Sequence, residues 1–221
     1  MTTLSRRGLL ATTGALSLAG VLAACADTGA DGKAVASSSA SDADYDKAIN
    51  SGPVAADDVV AASPWAASVK QAKKLVTGGT KTSEVFSWED SKTKKISGFD
   101  AAIAQALARY IIGGDDARSL LEVQQVTSDT RETVLVNGTV KAVVATYTIT
   151  PERAKKIDFA GPYYASSQAI LVKADNQDIT GVDTLTGDVA VQSNSSSAAA
   201  LKKHAPKATA KPFDTQAKCV A

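Results

Sequence analysis

Downstream of Trp65 the sequence alternates short apolar runs with stretches at helical spacing, and that alternation restricts the chain to a small set of folds. Lys74 to Thr80 reads as a strand ending in Gly78-Gly79, and Lys92 to Ile96 as a polar connection or short strand. Ser97-Gly98-Phe99-Asp100 opens a helix, with Asp100 as N-cap and Ile103, Leu107, Tyr110 and Ile111 on one face, ended by Gly113-Gly114. Leu120 to Val126 is the next strand, Thr130 to Val136 a helix closed by Asn137-Gly138, and Val140 to Ala145 a strand apolar enough for burial on both faces. Thr150-Pro151 restarts a helix, with Thr150 as cap and Pro151 at the first position, where its missing N–H removes no bond. Parallel strands need a crossover between them, usually a helix, so this order predicts an α/β unit with a mainly parallel sheet.

A second unit follows Asp158-Phe159-Ala160-Gly161-Pro162-Tyr163-Tyr164. It contains a strand from Gln168 to Lys173, a turn and strand from Leu185 to Gln192, a helix from about Ser196 to His204, a strand near Ala208 to Phe213 and a helix starting at Asp214. The expected organisation is a first α/β lobe over 64–165 and part of a second over 166–221, which breaks off mid-helix.

The N-terminal region has a different character. Arg6-Arg7 precede an uncharged run from Leu9 to Ala24, which is diluted by Thr12, Thr13, Gly14, Ser17 and Gly20. A membrane-spanning helix wants about 20 apolar residues, so 1–24 reads as a cleaved export signal. Leu22-Ala23-Ala24-Cys25 resembles a bacterial lipobox, in which Cys25 receives the lipid and becomes the mature N-terminus, and two acyl chains suffice for stable anchoring. Ser5-Arg6-Arg7 before Leu9-Leu10 is similar to a twin-arginine signal. From 25 to 63 the chain is Ala, Ser, Asp and Gly with few large apolar residues, which predicts a disordered tether.

Charge and motif content exclude several classes. The net charge is +1 with Lys and Arg dispersed, and aromatic residues make up 5% of the chain, so neither a phosphate-tracking stripe nor a base-stacking platform for nucleic acid is present. Gly78-Gly79-Thr80-Lys81-Thr82 lacks the spacing of a phosphate loop. His204, the single histidine, lies in a Lys-rich stretch with no serine paired to it, and the acidic pairs Asp57-Asp58 and Asp115-Asp116 read as solvated caps rather than metal ligands. No metal or cofactor is expected.

Thr127-Ser128-Asp129-Thr130-Arg131 and Ala145-Thr146-Tyr147-Thr148-Ile149-Thr150-Pro151-Glu152-Arg153 carry the chemistry. In the predicted topology both leave the carboxyl ends of adjacent strands, where open α/β sheets bind ligands. An amino acid needs a fork of donors for its α-carboxylate, which Arg153 beside a helix start supplies, and an acceptor for its ammonium, which the Thr146 carbonyl supplies. An anionic ligand side chain needs a second cation, and Arg131 with Ser128 fits that need.

Gly79-Thr80-Lys81, Ser97-Gly98-Phe99-Asp100, Ser128 with Arg131, Asn137-Gly138, Ala145 to Arg153, Asp158 to Tyr164 and Val191-Gln192 occur in the order found in a known family. Over about residues 70 to 221 the chain resembles the glutamate-type branch of the bacterial extracellular solute-binding proteins. The resemblance implies a two-lobed type II periplasmic-binding (Venus flytrap) fold with an incomplete second lobe, and an exported, monomeric lipoprotein at the outer face of the cell membrane that delivers glutamate, or a related acidic or polar amino acid, to an ABC permease. It sets Arg153 on the α-carboxylate, completed by Thr146 and Thr148, and Ser128 and Arg131 on the side-chain carboxylate. It adds Phe86 or Trp88 as an aromatic wall, Lys81 as an extra cation, and Ser195 and Ser196 from the second lobe. The half-cystine that relatives place before Val191-Gln192 is absent from Asp188-Val189-Ala190, leaving Cys219 without that partner. Cyclohexadienyl dehydratases and receptor sensor domains use the same fold and are the alternatives.

Overall fold

A computed structural model describes residues 41–220. The export signal and Cys25 lie outside the described residues. Three short helices come first: α1 (Asp42–Asn50), α2 (Asp57–Ala61) and α3 (Pro64–Ala72). They correct the expected tether between 41 and 63. Composition averaged over that stretch hides a few apolar side chains at helical spacing that find a surface to cover. Ser41 caps α1 by accepting from the Asp44 N–H at 3.1 Å, and Ile49 and Val60 are buried to 2% and 3% exposure. The α1 helix is then fixed by polar contacts. Tyr45 stacks under the Arg118 guanidinium at 4.5 Å and its hydroxyl donates to Gln105 Oε1 at 2.8 Å, while Arg118 Nε pairs with Asp46.

The central sheet contains β1 (Leu75–Gly79), β5 (Leu121–Gln125) and β6 (Ala142–Val143) in the order β5-β1-β6, all parallel, with Leu75 beside Leu121 and Thr77 beside Ala142. Between β1 and β5 come an antiparallel meander, β2 (Thr82–Ser83), β3 (Ser87–Glu89) and β4 (Ile96–Ser97), and the helix α4 (Phe99–Ile112). The core lies where α2, α3 and α4 meet β1: Val60, Val69, Leu75, Ala108 and Ile111 are buried together, with Leu107 and Leu121 packed against them.

The α4 helix buries a different face from the one its large residues suggest. Ala101, Ala104, Ala108 and Ile111 face inward, whereas Ile103 and Tyr110 are more than a third exposed. The i, i+3, i+7 spacing is helical either way, but an alanine stripe lets the helix approach its neighbours closely. Its N-cap is Gly98 rather than Asp100. Gly98 has φ +115°, and a Cβ there would lie 2.6 Å from the carbonyl carbon and oxygen of Phe86, so only glycine fits. The Phe99 and Ala101 N–H groups donate to the Val85 and Phe86 carbonyls, and Asp100 is thereby left free of a capping role.

Beyond β5 lie α5 (Arg131–Val136) and, after β6, α6 (Pro151–Ala154), whose cap Thr150 accepts from the Arg153 N–H. A second, two-stranded parallel sheet joins β7 (Gly187–Gln192) to β8 (Ala208–Phe213) through α7 (Ser197–His204), with α8 (Gln216–Val220) following. The strand expected at Gln168–Lys173 is not formed. No other strand among the described residues lies alongside it to complete a ladder, and Leu171 is 78% exposed. Cys219 is a free thiol, half-buried, donating to the Thr215 carbonyl at 3.4 Å.

Candidate functional site

Because β5, β1 and β6 run parallel, the segments after β5 and β6 emerge at the same edge of the sheet. These two strands, expected from the sequence to be adjacent, are not neighbours. They flank β1, which separates the segments by one strand.

Tyr147 is the platform of this edge. The Arg131 guanidinium carbon lies 3.9 Å from its ring centroid and that of Arg153 4.3 Å from it. None of the ion pairs formed among the described residues includes either arginine. Arg131 is 5% exposed, donates from Nη1 to the Ala145 carbonyl at 3.0 Å, and has a buried Nε with no hydrogen-bond partner. Burial, together with repulsion from Arg153, pushes its pKa down to about 10, which still leaves it charged at neutral pH. Arg153 donates from Nη1 to the Thr148 carbonyl at 2.7 Å and from Nη2 to the Asn194 carbonyl at 2.9 Å. The nearby carboxylate of Glu132 is engaged elsewhere, with Lys156 at 2.8 Å, and the Tyr147 hydroxyl donates to it at 3.3 Å.

Thr146 adopts φ +47°. For a β-branched residue that conformation costs about 1–3 kcal/mol and persists only where the surroundings fix it. Its N–H donates to Asp100 Oδ2 at 2.8 Å, and the other oxygen of the same carboxylate accepts from the Tyr163 hydroxyl at 2.9 Å. Asp100 is 1% exposed, and burial raises its pKa above the ordinary carboxylate value despite these two donors.

The turn after β7 reaches this edge. Ser193 donates to Asp129 Oδ2 at 2.7 Å, Asn194 Nδ2 bonds the other oxygen of Asp129, and the hydroxyls of Thr148 and Ser196 are 3.2 Å apart. The structure therefore brings together Arg131, Thr146, Thr148, Arg153 and Ser196, with half-buried Ser128 beside Asp129. Ser195 is committed to its own turn, donating to the Gln192 carbonyl at 2.6 Å and accepting from the Ser197 N–H. Lys81 is not a free cation, since its Nζ pairs with Glu89 at 2.8 Å. Phe86 packs edge-on against Tyr164 at 5.3 Å, and Trp88 is 37% exposed on the meander. A groove of about 560 Å³ lies elsewhere and is lined by Asp46, Lys95, Gln105 and Arg118. It contains none of the residues around Tyr147.

Sequence reasoning missed Tyr147, Asp129 and the buried role of Asp100. Tyr147 had a signal, because it sits in the segment between the two arginine-bearing helices. Asp129 and Asp100 had none beyond their neighbourhood.

A parallel α/β sheet with cationic and polar side chains gathered at its carboxyl edge, faced by a turn from a second sheet, is the architecture of a two-sheet cleft fold. The chain belongs to the bacterial extracellular solute-binding proteins, family 3, whose sequence profile matches residues 75–216. It is 35% identical over 150 residues to a glutamine-binding protein of Geobacillus stearothermophilus, covering 67% of this chain and 56% of that one. It is 31% identical over 150 residues to a glutamate-binding protein of Corynebacterium efficiens, covering 66% and 50%. The chain thus spans about half the length of the curated relatives it matches. Among solved structures it is similar to an ancestral amino acid-binding protein that is a precursor of cyclohexadienyl dehydratase, with TM-score 0.63 and 32% identity over 70% of this chain and 68% of that one. The fold is the type II periplasmic-binding fold. No helix among the described residues is long and apolar enough to cross a membrane.

Proposed function

We propose that this chain captures an acidic amino acid, glutamate by preference, for an ABC importer. The observation that carries the proposal is the pair of guanidiniums on Tyr147 with no carboxylate partner among the described residues. A buried cation without a counter-ion destabilises the free protein, and an anion brought beside it relieves that cost. Arg131 together with the half-buried Arg153 suits a ligand with two carboxylates. Arg153, oriented by the Thr148 carbonyl, takes the α-carboxylate, and Arg131 with Ser128 takes the side-chain carboxylate. Thr146 and Thr148 complete the clamp, and Ser196 contributes from the facing turn.

The relatives' names divide between glutamine and glutamate, and the preference for glutamate rests on Arg131. A neutral amide needs no second cation. The chain acts as a binding protein rather than an enzyme, in keeping with the relatives named above. It is exported, carries its lipid on Cys25, works as a monomer and hands its ligand to a membrane permease. The lobes divide near residue 165, and the Ser193-Asn194 turn closes over the Arg153 edge as the ligand enters, shifting an open and closed equilibrium.

Arg153→Ala tests the assignment. Loss of a charge-assisted, forked contact is expected to weaken glutamate binding by about 100-fold, measured by calorimetry. Unchanged affinity in a folded variant would remove Arg153 from the clamp.

A further inference from the structure

Asp100 has no part in the proposed clamp and is nevertheless the group that ties two pieces of the site together. It sits in the first turn of α4 with its carboxylate 1% exposed. Side chains at that depth are seldom charged unless partnered, and its two partners are informative. One oxygen accepts from the backbone N–H of Thr146, the residue held at φ +47° beside Tyr147. The other accepts from the phenol of Tyr163, which belongs to the connection leading from the β5-β1-β6 sheet towards the β7-β8 sheet. The two donors lie 17 positions apart in sequence and come from different sides of α6, so this carboxylate is their shared anchor. Gly98 and the carbonyls of Val85 and Phe86 already satisfy the start of α4, and the capping role that would ordinarily occupy an aspartate here is therefore filled by others.

We propose that Asp100 is a positioning residue for ligand capture, holding the Thr146 turn in its binding conformation and coupling it to the Tyr163 connection. The proposal rests on the amino-acid-binding reading above. With the anchor gone, Thr146 relaxes out of the left-handed region, because nothing else among the described residues bonds its N–H, and the Thr146 carbonyl and Tyr147 platform lose their fixed orientation. With only the phenol gone, the Thr146 bond remains and the connection is released. A rigid clamp loses less freedom on binding than a loose one, so both changes act on ligand affinity without removing a ligand contact.

The test is a double-mutant cycle on the full chain with Asp100→Ala, Tyr163→Phe and the double variant, titrated with glutamate and glutamine. The hydrogen exchange of the Thr146 amide is followed in parallel in the free protein. Asp100→Ala, which removes both acceptor oxygens, is expected to lower affinity about tenfold, the scale of one hydrogen bond to a charged group. Tyr163→Phe should lower it several-fold, and the double variant should be no weaker than Asp100→Ala alone. Thr146 exchange should quicken at least about tenfold in Asp100→Ala while amides within β1 keep their protection, which separates positioning from general loosening. Additive effects, or wild-type affinity in both single variants of a wild-type chain that binds, would overturn the role of Asp100 alone. A folded wild-type chain that binds neither amino acid would overturn the functional reading and this inference with it.

Discussion

Arg131 carries a cost in the free protein that the proposed anionic ligand would relieve. Its guanidinium is buried, its Nε–H unmatched, and its neighbour Arg153 repels it. Replacing it with methionine removes a buried unpaired charge while keeping most of the volume. Arg131→Met is therefore expected to raise the melting temperature of the ligand-free chain by about 2–4 °C, the shift that about 1 kcal/mol gives a protein of this size. The same variant should bind glutamate at least about tenfold more weakly, with glutamine much less affected. A lower melting temperature with glutamate affinity intact would show that Arg131 is structural. Asp100 gives a pH dependence of opposite origin. Burial raises its folded pKa above the unfolded value of about 3.9. Its proton-linked contribution to stability is thus fully present below that value and is lost as pH rises through the raised folded pKa. Melts of wild type and Asp100→Asn between pH 3.5 and 7 should show the wild type losing ground to the variant as pH rises, then a constant gap. A gap that moves the other way would contradict the assignment.

At the scale of elements, strands and helices with strong periodicity were legible. The alternation from Lys74 to Arg153 located β1, β5, α4, α5 and α6 to within a few residues, and β7, α7 and β8 followed in the second unit. What failed had to be decided by partners outside the segment. Whether Ile103 or Ala104 faces inward depends on how closely α4 approaches the elements packed against it, which periodicity does not encode. The α1 helix depends on Arg118 and Gln105, about 60 to 70 positions away, which meet Tyr45 and Asp46. Gln168–Lys173 has strand composition but no neighbour to pair with among the described residues. The candidate site showed the same division: Arg131, Thr146 and Arg153 were singled out from their segments and Thr148 through the family resemblance, whereas the bonds of Asp129 to Ser193 and Asn194 span 64 and 65 positions. Those bonds are exposed, so Asp129→Ala should change the melting temperature little, by under about 1 kcal/mol in stability. It should instead quicken ligand release several-fold, because the turn is then held over the Arg153 edge only by Arg153 Nη2 and the Thr148–Ser196 contact. Stopped-flow displacement reads this directly, and an unchanged release rate would mean that the turn does not gate the cleft.

At the scale of the whole molecule, a parallel sheet presents two guanidiniums without a close ion pair at its carboxyl edge, and the serine-rich turn of a smaller sheet meets them. The family match and the solved structures define the fold, and the proposed acidic ligand rests on charge: two cations on one tyrosine favour two carboxylates. The chain's length, about half that of its curated relatives, makes direct binding the informative observation. Calorimetric titration of the purified chain against glutamate, glutamine and aspartate tests this most directly. Saturable binding with glutamate preferred over glutamine, and that preference abolished in Arg131→Met, is the expected result. Glutamine bound as tightly as glutamate, or a preference unmoved by the substitution, would contradict the two-guanidinium clamp.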